Sequence, residues 1–388
     1  MTKPLRCLHV APTYYPAVRY GGPIHSVHGL CRSLVELGVD VHVFTTNVDG
    51  PGVSAAPLGR PIDLDGVKVW YFPAGFGRRL YRSPAMRAAL ESQIASFDIA
   101  HLHSVFLWPT AIAARLARER GIPYVLAPRG MLVADLIRAK SRFVKSAWIR
   151  LVERANLAGA AAIHVTSEME RAEIEKLGLK ARSYALVPNG VAAPPMQPAA
   201  APESGGRPYV LSLGRMSWKK GLDRLIAAMA HTEKADLVIA GNDEEGETAR
   251  LQALAIRLGL ADRVRFVGPV HGEAKAALLG GCTVFALASH SENFGNAVLE
   301  AMSFARPVVV TPEVGLADIV ARTDAGLVAV GEPGEFGRAL STLLQSPELR
   351  ARCGAAAYAA ARDLFSWPVV ARRMEAVYRR HVTTRNDD

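Results

Sequence analysis

The sequence predicts an α/β protein built from two parallel-sheet halves, on three observations. Short apolar, β-branched runs alternate with amphipathic helical patterns along the whole chain, the signature of strands joined by crossover helices. Residues 192–208 interrupt that alternation with Pro194, Pro195, Pro198, Pro202 and Pro208, two glycines and a run of alanines, and Pro188 stands just before them. The alternation then starts afresh at Tyr209. A length of 388 residues suffices for two or three domains, each with its own core.

In order, residues 5–10 read as the first strand, followed by a helix over 25–37 with Val27, Leu30, Cys31, Leu34 and Leu37 on one face. Residues 39–45 are the next strand, and 50–65, rich in Gly, Pro and Ala, read as a loop. Further strands are expected at 67–71, 99–103, 124–127, 162–166 and 183–187. Beyond the Pro/Ala-rich linker, assigned to 194–208, they recur at 209–213, 236–240, 263–267, 282–287, 307–310 and 326–330. The domains are therefore drawn at 1–193 and 209–365, with 366–388 expected as a C-terminal helix crossing back to the first. The halves are alike in architecture only, as two facing Rossmann-like domains would be. Neither carries G-x-G-x-x-G after its first strand, which disfavours a dinucleotide oxidoreductase.

Two motifs carry chemistry. Glu292 and Glu300 bracket Phe294-Gly295-Asn296, so the first glutamate falls on the loop after a buried strand and the second inside the following helix. In open α/β sheets the C-terminal edge binds ligands, and free N–H groups at a helix start favour an anion such as a diphosphate. Spacing alone is a weak signal and more often means two solvated helix glutamates. The second motif, Gly214-Arg215-Met216-Ser217-Trp218-Lys219-Lys220-Gly221, places a basic loop between a strand and a helix. There Arg215 offers a planar fork of donors and Lys220 a mobile charge, a phosphate cradle.

Together the G-R-x-x-x-x-K-G and E-x7-E steps, in this order, resemble the GT-B retaining glycosyltransferases of the GT4-like family, glycosyl transferases group 1. Gly21-Gly22, Asp98-Ile99-Ala100-His101-Leu102-His103, Pro188-Asn189-Gly190-Val191 and Phe266-Val267-Gly268 match its other landmarks, so the resemblance runs over nearly the whole chain. It implies two facing Rossmann-like domains around a deep interdomain cleft, and transfer of a hexose from a UDP-, GDP- or ADP-sugar with retention of configuration. It also implies that no metal or cofactor is needed. Under it Arg215 and Lys220 neutralise the donor diphosphate, helped by N–H groups near Phe294, Gly295 and Asn296 and by the backbone of Gly21 and Gly22. Glu292 holds hydroxyls of the transferred sugar, Glu300 the ribose, and Val267 and Gly268 border the base. His103 faces the transferred sugar, although a histidine ending a buried strand is also a common structural group. Arg129 departs from the commoner His-Gly at its turn; it would contact an acceptor phosphate or merely cap the strand. The acidic run Asp243-Glu244-Glu245 lacks partner ligands at useful spacing and reads as a solvated turn. Alternatives are a GT-B nucleotide-sugar epimerase and a non-catalytic nucleotide-sugar-binding protein.

Half of the residues are apolar and 21% charged, as in an ordinary soluble α/β protein. Cys7, Cys31, Cys282 and Cys353 lie far apart with no C-x-x-C, so neither disulfide nor zinc site is expected. No signal peptide and no 18-residue apolar run is visible, which points to the cytoplasm. A net charge of +10 calls for an anionic partner. No nucleic-acid-binding signature is present; a phosphorylated donor and an anionic membrane surface fit better. Between Gly130 and Arg154, the cations Arg138, Lys140, Arg142, Lys145, Arg150 and Arg154 face only Asp135 and Glu153, with Phe143, Val144, Trp148 and Ile149 interleaved. That pattern reads either as a helix on the inner face of the cytoplasmic membrane, recruiting a lipid-linked saccharide acceptor, or as a solvated helix with its aromatics packed inward. Residues 76–82 would add a mobile basic-aromatic loop on the same face.

Overall fold

The structure, a computed structural model, describes residues 4–17, 22–134, 137, 142–194, 207–232, 235–243 and 245–386. Two compact units emerge: residues 1–190 with 367–388, and residues 191–366. Most of the segment expected as a linker, together with Gly21, Asp135, Arg138, Lys140 and Glu244, lies outside the described residues.

The first unit's strands are β1 (Arg6–Val10), β2 (Asp40–Thr46), β3 (Val48–Asp49), β4 (Gly52–Val53), β5 (Pro61–Leu64), β6 (Val67–Phe72), β7 (Ile99–His103), β8 (Tyr124–Ala127), β9 (Ala162–Val165) and β10 (Tyr184–Leu186). Eight form one sheet in the order β10-β9-β8-β7-β1-β2-β6-β5. It is parallel except where β5 runs antiparallel to β6. This corrects the reading of residues 50–65 as plain loop. β4 pairs with β3, and β5 is a half-exposed edge strand that begins at Pro61, where a residue without an N–H is tolerated.

The helices of this unit are α1 (Gly22–Glu36), α2 (Pro84–Gln93), α3 (Trp108–Glu119), α4 (Arg142–Trp148), α5 (Arg154–Gly159) and α6 (Glu168–Lys176), with a π-helical turn joining α4 to α5. Ser83 and Ser167 cap α2 and α6, each hydroxyl accepting a backbone N–H three residues on. Alternate strand residues divide the core. Leu8, Val10, Leu102 and Leu126 pack with Met86, Leu90 and Leu116 on one face. Cys7, Val41, Ile99 and Val125 pack with Leu30 and Leu34 of α1 on the other.

The second unit contains β11 (Tyr209–Leu213), β12 (Asp236–Ala240), β13 (Val264–Gly268), β14 (Val284–Leu287), β15 (Val308–Val310) and β16 (Gly326–Val328), all parallel, in the order β13-β12-β11-β14-β15-β16. Its helices are α7 (Leu222–Ala228), α8 (Thr248–Arg257), α9 (Gly272–Gly281), α10 (Asn296–Ser303), α11 (Ala317–Arg322), α12 (Pro333–Gln345) and α13 (Pro347–Phe365). Extended Ser366 ends α13, and α14 (Trp367–Asn386) then packs into the first unit's core through Trp367, Val370, Ala371, Met374 and Tyr378. The Trp367 ring lies so close to Gly29 and Gly190 that a Cβ on either would sit 2.3 Å from it. Among the described residues, no helix is long and apolar enough to cross a membrane.

Candidate active site

Strand order reverses once in each sheet, between β11 and β14 in the second unit and between β1 and β7 in the first. Such a reversal opens a crevice at the strands' C-terminal ends. In the second unit the chain leaves β11 through Gly214 and exposed Arg215, makes a 3-10 turn at Trp218–Lys220 and enters α7. Gly221, at φ +57°, starts that helix where a Cβ would lie 2.0 Å from the Ala288 carbonyl oxygen. The turn is thus pressed against the end of β14, and His290 N–H donates to the Lys219 carbonyl at 2.7 Å. Lys220 Nζ consequently donates to the Glu292 carboxylate, joining the two motifs in one ion pair.

The backbone of Glu292 is fixed from both sides. Its N–H donates to the Glu313 carbonyl at 3.0 Å, and its carbonyl accepts from Gly315 N–H at 2.9 Å. Phe294 is buried against Phe365, and Gly295, at φ +103°, caps α10 without any side-chain acceptor. Asn296 is therefore the first residue of a helix whose N–H groups point out from the sheet edge. Glu300, further along α10, accepts from Lys275 Nζ at 2.9 Å. Val267 is exposed at the end of β13, and the Gly268 carbonyl accepts from Gly241 N–H at 2.8 Å. The motif residues thus gather on one edge of the sheet. Asp243 accepts from the N–H groups of Glu247 and Thr248, as a solvated turn should.

The first unit answers with a different chemistry. His103 ends β7, and beside it a cavity of about 150 Å³ is lined by Thr13, Tyr81, Ser104, Leu107 and Arg129 among others. Gly22 opens α1, whose Pro23 and Ile24 also line the cavity. Three non-glycine residues at the C-terminal ends of β7 and β8 hold left-handed backbones: Ser104 (φ +73°), Phe106 (φ +63°) and Arg129 (φ +57°). Such conformations cost of order 1–3 kcal/mol each and persist only where surroundings impose them. Phe106 N–H donates to buried Glu153 at 2.7 Å, and Gly130 N–H donates to Glu170 at 2.7 Å. Arg129 donates to Asn189 Oδ1 at 3.0 Å and to His103 Nδ1 at 3.2 Å. It therefore does more than cap a strand.

Behind His103 lie His9, His101 and His164, all buried and all on one face of the sheet. Burial, followed by the Arg129 cation, pushes His9 and His164 down to about 3. His101 and His103 are likewise held well below the ordinary imidazole range, burial again leading. All four are neutral at physiological pH. Sequence reasoning singled out His101 and His103 but missed His9, His164, Tyr378 and Lys275. The alternate-residue histidines of β7, with one histidine each on β1 and β9, were a visible signal once those strands were aligned; Tyr378 and Lys275 carried none.

The basic helix is corrected in one respect. Glu153 is no surface anion: it is buried and accepts from Trp148 Nε1 at 2.8 Å and Asn156 Nδ2 at 3.2 Å, so Trp148 turns inward. Phe143 (82% exposed), Val144 and Leu151 (77%) face outward, with Arg150 and Arg154 also exposed. Residues 76–82 contain a 3-10 turn at Arg78–Leu80, and Arg78 donates to the Gly50 and Gly52 carbonyls, so the segment is tethered there.

Residues 21–190 match the family model described as glycosyl transferase 4-like domain, and residues 196–360 match glycosyl transferases group 1. The D-inositol 3-phosphate glycosyltransferase of Frankia alni is 27% identical, with 96% of this chain and 98% of the relative covered. A sucrose-phosphate synthase structure from Thermosynechococcus elongatus has a TM-score of 0.78 at 21% identity, covering 98% of this chain and 100% of that one. Anabaena HepE in complex with UDP and glucose has a TM-score of 0.73 at 18% identity, covering 96% and 99%.

Proposed function

The chain belongs to the glycosyl transferases group 1, in the GT-B fold, and from that premise we propose that it transfers a hexose from a nucleotide-sugar with retention of configuration. The acceptor is a phosphorylated or lipid-linked saccharide in cell-surface polysaccharide assembly. One observation carries this reading: Lys220 and Glu292 meet at the sheet edge beside the N-terminus of α10. Arg215 and Lys220 bind the donor diphosphate, and the N–H groups at Gly295 and Asn296 add to that charge stabilisation. Glu292 takes hydroxyls of the transferred sugar, Glu300 the ribose, and Val267 and Gly268 border the base.

The anomeric C–O bond to the phosphate breaks as the acceptor oxygen bonds to the same face of that carbon. The acceptor proton passes to the departing phosphate oxygen, so the step needs neither a protein nucleophile nor a metal. Arg129, with Thr13 and Ser104 near it on the cavity wall, suits an anionic acceptor. D-inositol 3-phosphate glycosyltransferases among the relatives are named for such a substrate. His103 lines the same cavity, and in this reading it takes the transferred sugar.

Incubation with UDP-, GDP- and ADP-hexoses tests the reading. Transfer or slow donor hydrolysis, with the product's anomeric configuration read by NMR, supports it; binding without turnover favours a non-catalytic binder. A ligand at 100 times its dissociation constant adds about 2.7 kcal/mol, so thermal shift identifies the base. The outward apolar side chains of Phe143, Val144 and Leu151 beside Arg150 and Arg154 support an anionic membrane surface at the cytoplasmic face as the partner. Binding to anionic liposomes that falls at high salt and on Phe143→Ser/Leu151→Ser substitution supports this. Full activity without lipid association at low salt removes the membrane and leaves the transfer.

A further inference from the structure

We propose that Tyr378, on the C-terminal helix, is a positioning residue for the cavity. Its hydroxyl closes a one-way hydrogen-bond relay in which His103 holds a single tautomer and orients the Arg129 guanidinium. The two ends of the relay set its direction. Arg129 can only donate, so His103 Nδ1, 3.2 Å away, must accept. A neutral imidazole that accepts at one nitrogen carries its proton on the other, so His103 Nε2–H donates to His9 Nδ1 at 3.0 Å. At the far end the Val187 carbonyl can only accept, so His164 Nε2–H donates to it at 2.8 Å and His164 Nδ1 accepts from His101 Nε2–H at 3.2 Å.

His101 Nδ1 is then left as an acceptor and His9 Nε2 as a donor. Only a group that donates once and accepts once completes the chain. The Tyr378 hydroxyl stands there, 2.6 Å from His101 Nδ1 and 3.4 Å from His9 Nε2. All six links run in one direction, and all four imidazoles carry the proton on Nε2. Reversing any link would set two protons, or none, on a contact. The ring nitrogens of His9, His101 and His103 lie within 4.8 Å of one another, a spacing open to a metal ion. In the relay each Nδ1 lone pair is already engaged, and a guanidinium stands at its end. The cluster therefore serves orientation rather than metal binding.

The relay delivers function at its cationic end. His103 and Asn189 take separate nitrogens of Arg129, which fixes the plane of the fork on the cavity wall. The surrounding titratable groups are Glu170, which holds the Gly130 N–H, and the buried thiols of Cys7, which also hydrogen-bonds the Tyr378 hydroxyl, and Cys31, both pushed up by burial. Among the described residues, no nearby group supplies a proton to the imidazoles at neutral pH.

The cavity's role as an anion site rests on the functional reading above, so the test separates the two. In the full chain carrying ¹⁵N-histidine, long-range ¹H–¹⁵N correlation at pH 6 should show four neutral Nε2–H imidazoles, while exposed histidines, with pKa about 6.5, are partly cationic. Tyr378→Phe keeps the ring and removes the hydroxyl. It should leave His9 Nε2–H and His101 Nδ1 without their partner and so move those two ¹⁵N signals, the tautomers still being set from Arg129 and Val187, and weaken inorganic phosphate binding, read on the same signals, on the order of tenfold. UDP binding in the second unit should stay unchanged. Wild-type His103 found protonated on Nδ1, or cationic, overturns the relay, as does a Tyr378→Phe protein with all four signals unmoved. A wild-type spectrum that ignores phosphate overturns the anion role of Arg129, and the tautomer pattern still decides the relay whether or not sugar is transferred.

Discussion

The two units place their candidate site residues at the same topological position and build them from opposite materials. In the second unit the groups are charged and partly exposed: Lys220 with Glu292, and Lys275 with Glu300. In the first they are neutral imidazoles, fully buried, whose hydrogen bonds end on a single cation. Partly exposed ion pairs contribute little to stability, because water screens them and they readily exchange partners. They suit a surface that trades protein contacts for those of a ligand. A buried neutral network cannot trade; it holds a geometry, and it must stay unprotonated to do so.

The two units should differ most visibly in acid. The four buried histidines have folded-state pKa values below the unfolded value of about 6.5. Above that pH both states are neutral and the groups do not affect stability. As pH falls below it the unfolded chain takes up protons that the folded unit refuses, so stability is lost, on the order of 1 kcal/mol per imidazole per pH unit. The first unit should therefore open ahead of the second between pH 6.5 and 4, seen as earlier hydrogen exchange in β1, β7 and β9 than in β11 and β14. Simultaneous opening would remove the contrast.

Next in size is Glu292→Ala. If this carboxylate grips only the transferred sugar, transfer should fall at least about a hundredfold, an activation cost of roughly 2.7 kcal/mol or more. Nucleoside diphosphate affinity should hold or rise, because Lys220 loses its competing partner. Equal loss of diphosphate affinity by calorimetry would sink the assignment. Arg215→Ala and Lys220→Ala should each weaken diphosphate binding by roughly 1.5–3 kcal/mol, more than tenfold, and cut turnover likewise. Wild-type rates in both variants would dismiss the phosphate cradle. Smallest is Lys275→Ala, which should lower unfolding stability by under about 1 kcal/mol. A larger drop would mean that the second unit also relies on its ion pairs for structure.

Much of this was legible in the sequence because many strands are covered on both faces. Ile99–His103, Tyr124–Ala127, Tyr209–Leu213 and Asp236–Ala240 are continuous buried runs, and their ends were readable to the residue. Pro61–Leu64 was not, since a half-exposed edge strand led by proline has the composition of a loop. Lys220 and Glu292 could be named because each sits in a local motif, whereas their pairing depends on Gly221 lying flush against β14. Tyr378 stands 277 positions from the histidine it bonds, and no local pattern reports such a contact. Glu153 was misplaced for a related reason: charge counting along a helix does not reveal that one carboxylate turns inward to hold the Phe106 N–H.

The C-terminal helix also bears on the order of events during synthesis. Domains commonly fold as they emerge, the N-terminal one first. Here the first unit's core lacks Trp367, Met374 and Tyr378 until the whole second unit has been translated. The later-made unit is thus free to fold to completion before the earlier-made one, whose α1 and sheet must wait with an uncovered apolar face. The ribosome finishes the second unit and only then supplies the piece that closes the first, so a chain stalled between Ser366 and Tyr378 would be a client for chaperones at its N-terminal half.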